Sequence, residues 1–166
     1  SSDLNRFYFT YQYKQYEMEF FANDLETALG ELMRVDEIWI NELVTYQNLY
    51  GTLERILRLK REQGAKILML LHDFFALCPA VNLIDAKGKY CGVPSCDVCD
   101  KCVPDNRSNA CTEYGSGTLW RTKFREFLSN CDEIRAFSDD TAKLFKRAYP
   151  DVYNLHVIPD RKSTRL

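Results

Sequence analysis

Residues 65–71 read AKILMLL, an apolar run too short for an independent helix and without alternation, which predicts a central strand covered on both faces. The flanking segments carry a different period. Across 45–63, Leu49, Leu53, Ile56 and Leu57 share one helical stripe, Arg55, Arg58, Lys60 and Arg61 face outward, and Gly64 stands where a helix stop belongs. Leu25, Ala28, Leu29, Leu32 and Met33 give 24–35 one buried helical face, introduced by Asn23 and Glu26 at capping-box spacing. Trp120, Phe124, Phe127, Leu128 and Cys131 mark a helix at 118–131, and another runs from a cap at Ser138 or Asp139 to about Tyr149. Short strands are predicted at 36–43 (DEIWINEL), 133–138 (EIRAFS) and 155–159 (LHVIP). The opening, RFYFTYQYKQYEMEFF, is rich in Tyr and Phe and reads as one bent strand or two paired ones.

From residue 36 onward strands and helices alternate, which implies right-handed crossovers and a mainly parallel sheet with helices on both faces. The expected fold is α/β, a three-layer Rossmann-like domain. A chain of 166 residues suits one core. The domain is placed at 1–160, with 161–166 as a tail. Residues 74–117 show no sustained period and hold Gly, Pro, Asn, Asp and most of the cysteines. A stretch that long without regular structure calls for a function or a crosslink, and about 76–117 is read as a cysteine-rich loop insertion.

Composition narrows the class. Lys plus Arg number 22 against 24 Asp plus Glu, for a net charge of −2, and no basic block stands out, which argues against a nucleic-acid partner. No apolar stretch approaches the roughly 18–20 residues that cross a bilayer, so no transmembrane segment is expected, and no signal-peptide pattern begins at Ser1. The seven cysteines are an odd count, clustered rather than spread, which favours metal binding in a reducing cytoplasm over a secreted disulfide scaffold. In CDVCDKC, Cys96, Cys99 and Cys102 stand at two-residue gaps, with Cys91 upstream and Cys111 downstream. Two thiolates so spaced can bite one zinc ion from a tight turn, and two more complete a tetrahedron. A ferredoxin-type cluster would want a fourth cysteine three residues on, followed by proline, and that is missing; free thiols are the remaining reading.

Active groups in open parallel sheets gather beyond the carboxyl ends of the strands. His72, one of two histidines, and Asp73 sit there after 65–71, as do Asn41 and Glu42 after 37–40. An imidazole near neutral pH can donate or accept a hydrogen bond, which suits a functional group in a cleft; the plainer reading is a strand-end histidine bonded to a carbonyl. Asp73 either orients His72 or forms an ordinary turn. Phe74 and Phe75 either stack on a ligand ring or belong to the core, and Asn41 and Glu42 either line a groove or are solvated.

The ordered set ILMLLHDFFALCPAVNLIDAKGKYC, CDVC or CDKC, EIRAFSDDTAKLFKRAYP and LHVIPD resembles the acceptor-side domain of group 1 glycosyltransferases of GT-B architecture, over roughly residues 36–160. The resemblance implies a catalytic role for His72, with Asp73 beside it, and an acceptor groove involving Asn41, Glu42 and Phe74. It implies transfer from a nucleotide sugar, with retention of configuration, to a cell-envelope glycan or lipid-linked acceptor, in the cytoplasm or at the inner face of the membrane. It also implies a partner C-terminal donor domain, absent from these residues, so the chain reads as a fragment inactive alone. Relatives with a Cys-Pro, a later cysteine and a Cys-x-x-Cys point to Cys78, Cys91, Cys99 and Cys102 as structural zinc ligands, with Cys96 replacing one if the turn is shifted. The glycine-rich first loop of that domain is missing here, and RKSTRL replaces the usual Asn-Gly turn. The alternative is a non-catalytic zinc-stapled protein-interaction module. A dinucleotide-dependent oxidoreductase is disfavoured, since no G-x-G-x-x-G follows any strand, and Glu54 and Glu62 inside an amphipathic helix are set aside as a chance pair.

Overall fold

A computed structural model describes residues 7–13, 16–22, 35–44, 46, 48–110 and 115–158, the first two segments by backbone alone. The expected helix at 24–35, Cys111 and the tail at 161–166 lie outside the described residues. The aromatic opening forms two paired strands, β1 (Phe7–Tyr13) and β2 (Tyr16–Ala22), antiparallel with Phe7 opposite Ala22.

The alternating region forms a four-stranded parallel sheet: β3 (Glu37–Ile40), β4 (Lys66–Leu71), β5 (Glu133–Ala136) and β6 (Leu155–Val157), in that spatial order. Between them run α1 (Leu49–Gln63), α2 (Cys96–Cys102), α3 (Gly117–Ser129) and α4 (Asp139–Ala148). The α/β class and parallel sheet agree with the sequence reading, and the arrangement is consistent with a Rossmann-like fold.

Each crossover moves one strand further in the same direction. Right-handed crossovers of that kind leave α1, α3 and α4 on one side. They cover Ile40, Ile67, Met69, Leu71, Ile134 and Ala136, joined in one core by Leu53 and Ile56 of α1, Trp120, Phe124 and Phe127 of α3, and Phe145 of α4. The other side of the sheet carries Trp39 and Arg135, whose guanidinium lies 5.0 Å from the Trp39 ring centroid. Helices are expected on both faces of the sheet, and the helix expected at 24–35 lies outside the described residues.

Local chemistry sets the ends. Asn48 accepts from Gly51 N at 2.9 Å, so α1 begins four residues after the predicted start at 45. Gly64, at φ 71°, stops it in the left-handed conformation. Asp132 Oδ2 then gathers three elements, accepting from Lys60 Nζ of α1 at 2.6 Å and Ile67 N of β4 at 2.7 Å at the threshold of β5. The 74–117 stretch is more regular than its sequence suggests: CDVCDKC is the helix α2, followed by a 3-10 turn at Val103–Asp105. Spacing by three puts its cysteines on successive helical turns, a pattern too short to register as a period.

Candidate functional site

Leu71 and Ala136 are register partners at the ends of β4 and β5. The next residues, His72 and Phe137, therefore leave the sheet side by side. Their rings stack with centroids 4.5 Å apart at 19°. Ser138, one residue on, caps α4 by accepting from Thr141 N at 3.1 Å. Leu71, His72, Phe137, Ser138 and Thr141 line an open depression of about 450 Å³ at the carboxyl rim of the sheet. His72 is solvent-exposed within it.

The other expected site residues are distributed differently. Asp73 Oδ1 accepts from Phe75 N at 2.8 Å, the short Asx turn that bends the chain away from β4. Phe74 is half-buried against the core, outside the residues that line the depression. Phe75 is fully interior, edge-on to Trp120 at 4.9 Å, and its carbonyl accepts from Trp120 Nε1 at 2.8 Å. Asn41 and Glu42 are exposed beyond β3 and do not line the depression either. Burial and then the Glu42 carboxylate push the Tyr46 phenol upward, so Glu42 acts on its own loop. Glu54 meets Lys123 at 3.4 Å, a link between α1 and α3. Phe137 and Thr141 were missed at the sequence level. The signal that would have found them is the shared register of β4 and β5, which aligns AFS with LHD.

The cysteine segment forms a second polar cluster. Cys78 and Cys99 are buried, while Cys91, Cys96 and Cys102 are partly so. Cys78 lies within electrostatic reach of Cys91 and Cys102, and Cys99 within that of Cys78, Cys91 and Cys96. Backbone N–H groups point at two sulfurs: Ala80 N at Cys78 Sγ, 3.5 Å, and Ala86 N at Cys102 Sγ, 3.4 Å, which Asn106 Nδ2 also approaches at 3.8 Å. Arg121 of α3, only 7% exposed, reaches into the same cluster. Its Nη2 donates to Cys99 Sγ at 3.2 Å and Nη1 lies 3.8 Å from Cys96 Sγ, with the Leu77 and Pro94 carbonyls as its other acceptors. Among the described residues no carboxylate pairs with it. Burial pushes the Cys99 thiol up to about 11, partly opposed by Arg121.

The backbone here is strained. Val81, Leu83 and Val93 hold φ of 40°, 57° and 62°, a region that bulky and β-branched side chains avoid. As placed, no three His, Cys, Asp or Glu side chains among the described residues stand close enough to grip a metal ion. The donor chemistry nevertheless suits a soft-ligand metal: several sulfurs, N–H donors aimed at them, and a buried cation.

Among the described residues no helix is long and apolar enough to cross a membrane. No protein-family model matches the chain, and neither any curated protein nor any solved structure shows significant similarity to it.

Proposed function

We propose that this chain is the acceptor-side domain of a glycosyltransferase that moves a sugar from a nucleotide sugar to a cell-envelope glycan or lipid-linked acceptor. The observation that supports this reading is the exposed imidazole of His72, stacked on Phe137 at the open carboxyl rim of a parallel sheet. The stacked pair restricts the ring and leaves its nitrogens to meet hydroxyl groups in the depression. The start of α4 bears Asp139 and Asp140, which offset the positive end of the helix and disfavour an anion there. Neutral polyols suit such a rim better than phosphates. In this reading the nucleotide sugar is held by a donor domain across the cleft, and His72 positions a reacting hydroxyl or the transferred sugar.

Titrating the chain with an oligosaccharide acceptor, followed by NMR of the His72 ring, tests the reading. Acceptor should shift the His72 and Phe137 resonances, a nucleotide sugar alone should not, and the isolated chain should show no transfer. In the enzyme completed by its donor domain, His72→Ala should lower the transfer rate by roughly 10²–10⁴-fold. Oligosaccharides that leave the His72 ring unshifted, or transfer by the chain alone, would refute the proposal.

A further inference from the structure

We infer that Cys96 and Cys99, one helical turn apart in α2 and both held by the Arg121 guanidinium, form a reversible dithiol–disulfide pair. The inference is independent of the sugar-transfer reading and needs only two sulfurs to meet. Helix geometry brings them together. Side chains three residues apart on a helix have Cβ atoms roughly 5–6 Å apart, and a disulfide requires roughly 3.5–4.5 Å. A shift of about 1–2 Å within one turn closes that gap. Arg121 fixes the side they share. Its Nη2 donates to Cys99 Sγ at 3.2 Å and its Nη1 to Cys96 Sγ at 3.8 Å, so two nitrogens on one carbon face the two sulfurs. A cation there also favours the thiolate, the form that attacks a disulfide. Among the described residues Arg121 meets no other sulfur.

Cys102 stands three residues from Cys99 just as Cys96 does, but its sulfur is engaged by Ala86 N at 3.4 Å and Asn106 Nδ2 at 3.8 Å. Cys78 Sγ is likewise engaged by Ala80 N at 3.5 Å. The proposed pair is asymmetric. Cys99 is buried, and α3 starts so close to it that a Cβ built on Gly117 would stand 2.4 Å from the Cys99 Cβ. Cys96 is partly exposed. Cys96 is therefore the sulfur that meets an oxidant, and Cys99 the one that follows. The Cys96 thiolate attacks a low-molecular-weight disulfide, forming a mixed disulfide and expelling one small thiolate. The Cys99 thiolate then attacks the Cys96 sulfur, closing the Cys96–Cys99 bond and expelling the second. Two protein thiols are oxidised, one small disulfide is reduced to two thiols, and the two S–H protons pass to those leaving groups. A loop of four residues restrains little chain, and a bond drawn across a helical turn is strained, so excess small thiol reverses the reaction.

The test exposes the whole chain to oxidised or reduced glutathione, followed by acid quenching, alkylation and mass mapping. Trypsin releases one peptide, Tyr90 to Lys101, that carries Cys91, Cys96 and Cys99. After oxidised glutathione it should have lost two hydrogens and take one alkyl group, on Cys91. After excess reduced glutathione it should take three. This readout needs no variant to fold. In Cys99→Ser the reaction should stop at a glutathione adduct on Cys96, and in Cys96→Ser the buried Cys99 should stay a free thiol. A bond from Cys96 or Cys99 to Cys78, Cys91 or Cys102 would overturn the inference. So would a glutathione adduct that persists in the parent chain, two thiols left unoxidised, or thiols that react only once a metal chelator is added.

Discussion

At the scale of single residues, His72 and Asp73 are neighbours with different work. His72 faces the open rim against Phe137, while the Asp73 carboxylate is committed to Phe75 N. An amide oxygen can accept that bond as a carboxylate does. Asp73→Asn should therefore leave stability and acceptor binding nearly unchanged, whereas Asp73→Ala should destabilise by about 1 kcal/mol through loss of the turn bond. Thermal unfolding and an acceptor titration of the two variants check this. A strong loss of acceptor binding in Asp73→Asn would instead put the charge itself in the site. The sequence showed that both residues follow a buried strand, but not which of them the turn would consume. That depends on the backbone amide two positions on, and both uses fit the same pair of letters.

At the scale of elements, Asp132 ties α1, β4 and β5 through Lys60 Nζ and Ile67 N. Its partial burial works against ionisation, but the Lys60 and Ile67 donors outweigh that and hold the carboxyl below its ordinary range. A depressed folded pKa contributes stability that is complete above the unfolded value of about 3.9 and is lost as pH falls through the folded value. Urea unfolding of Asp132→Asn at pH 7 should show a loss of roughly 1 kcal/mol or less, because the Asp132 side chain is 41% exposed and its ion pair is screened. The gap between variant and parent should close as the pH drops below about 4. A gap that persists there would mean the loss is steric. The strand order that makes Asp132 a junction was not legible. What could be read was the alternation of β4, α3, β5 and α4, since hydrophobic period reports local burial; pairing partners are chosen over long separations.

Across the whole molecule, Trp120 joins the core to the site. It lies fully buried in α3, bonds the Phe75 carbonyl and packs edge-on against the Phe75 ring, three residues beyond His72. Trp120→Phe keeps much of the apolar contact but leaves that carbonyl unpaired, at a cost of about 1–3 kcal/mol. The midpoint of thermal unfolding should fall by roughly 2–4 °C for each kcal/mol lost. An unchanged midpoint would show that the carbonyl finds another donor.

By itself the sequence determined the α/β class, three of the four described α-helices, the strands of the parallel sheet and the placement of His72 at a strand end. Each of these follows from local burial, which leaves a helical period in α1, α3 and α4 and a short unbroken apolar run in β4. The tertiary structure alone decided that Phe137 stacks on His72, that Asp73 turns to the backbone, and that Arg121 from α3 enters the cysteine cluster. The ring stack and the arginine contacts join residues far apart in the chain and arise only when the strands are in register and the helices packed; the Asp73 bond spans two residues and depends on how the chain leaves β4.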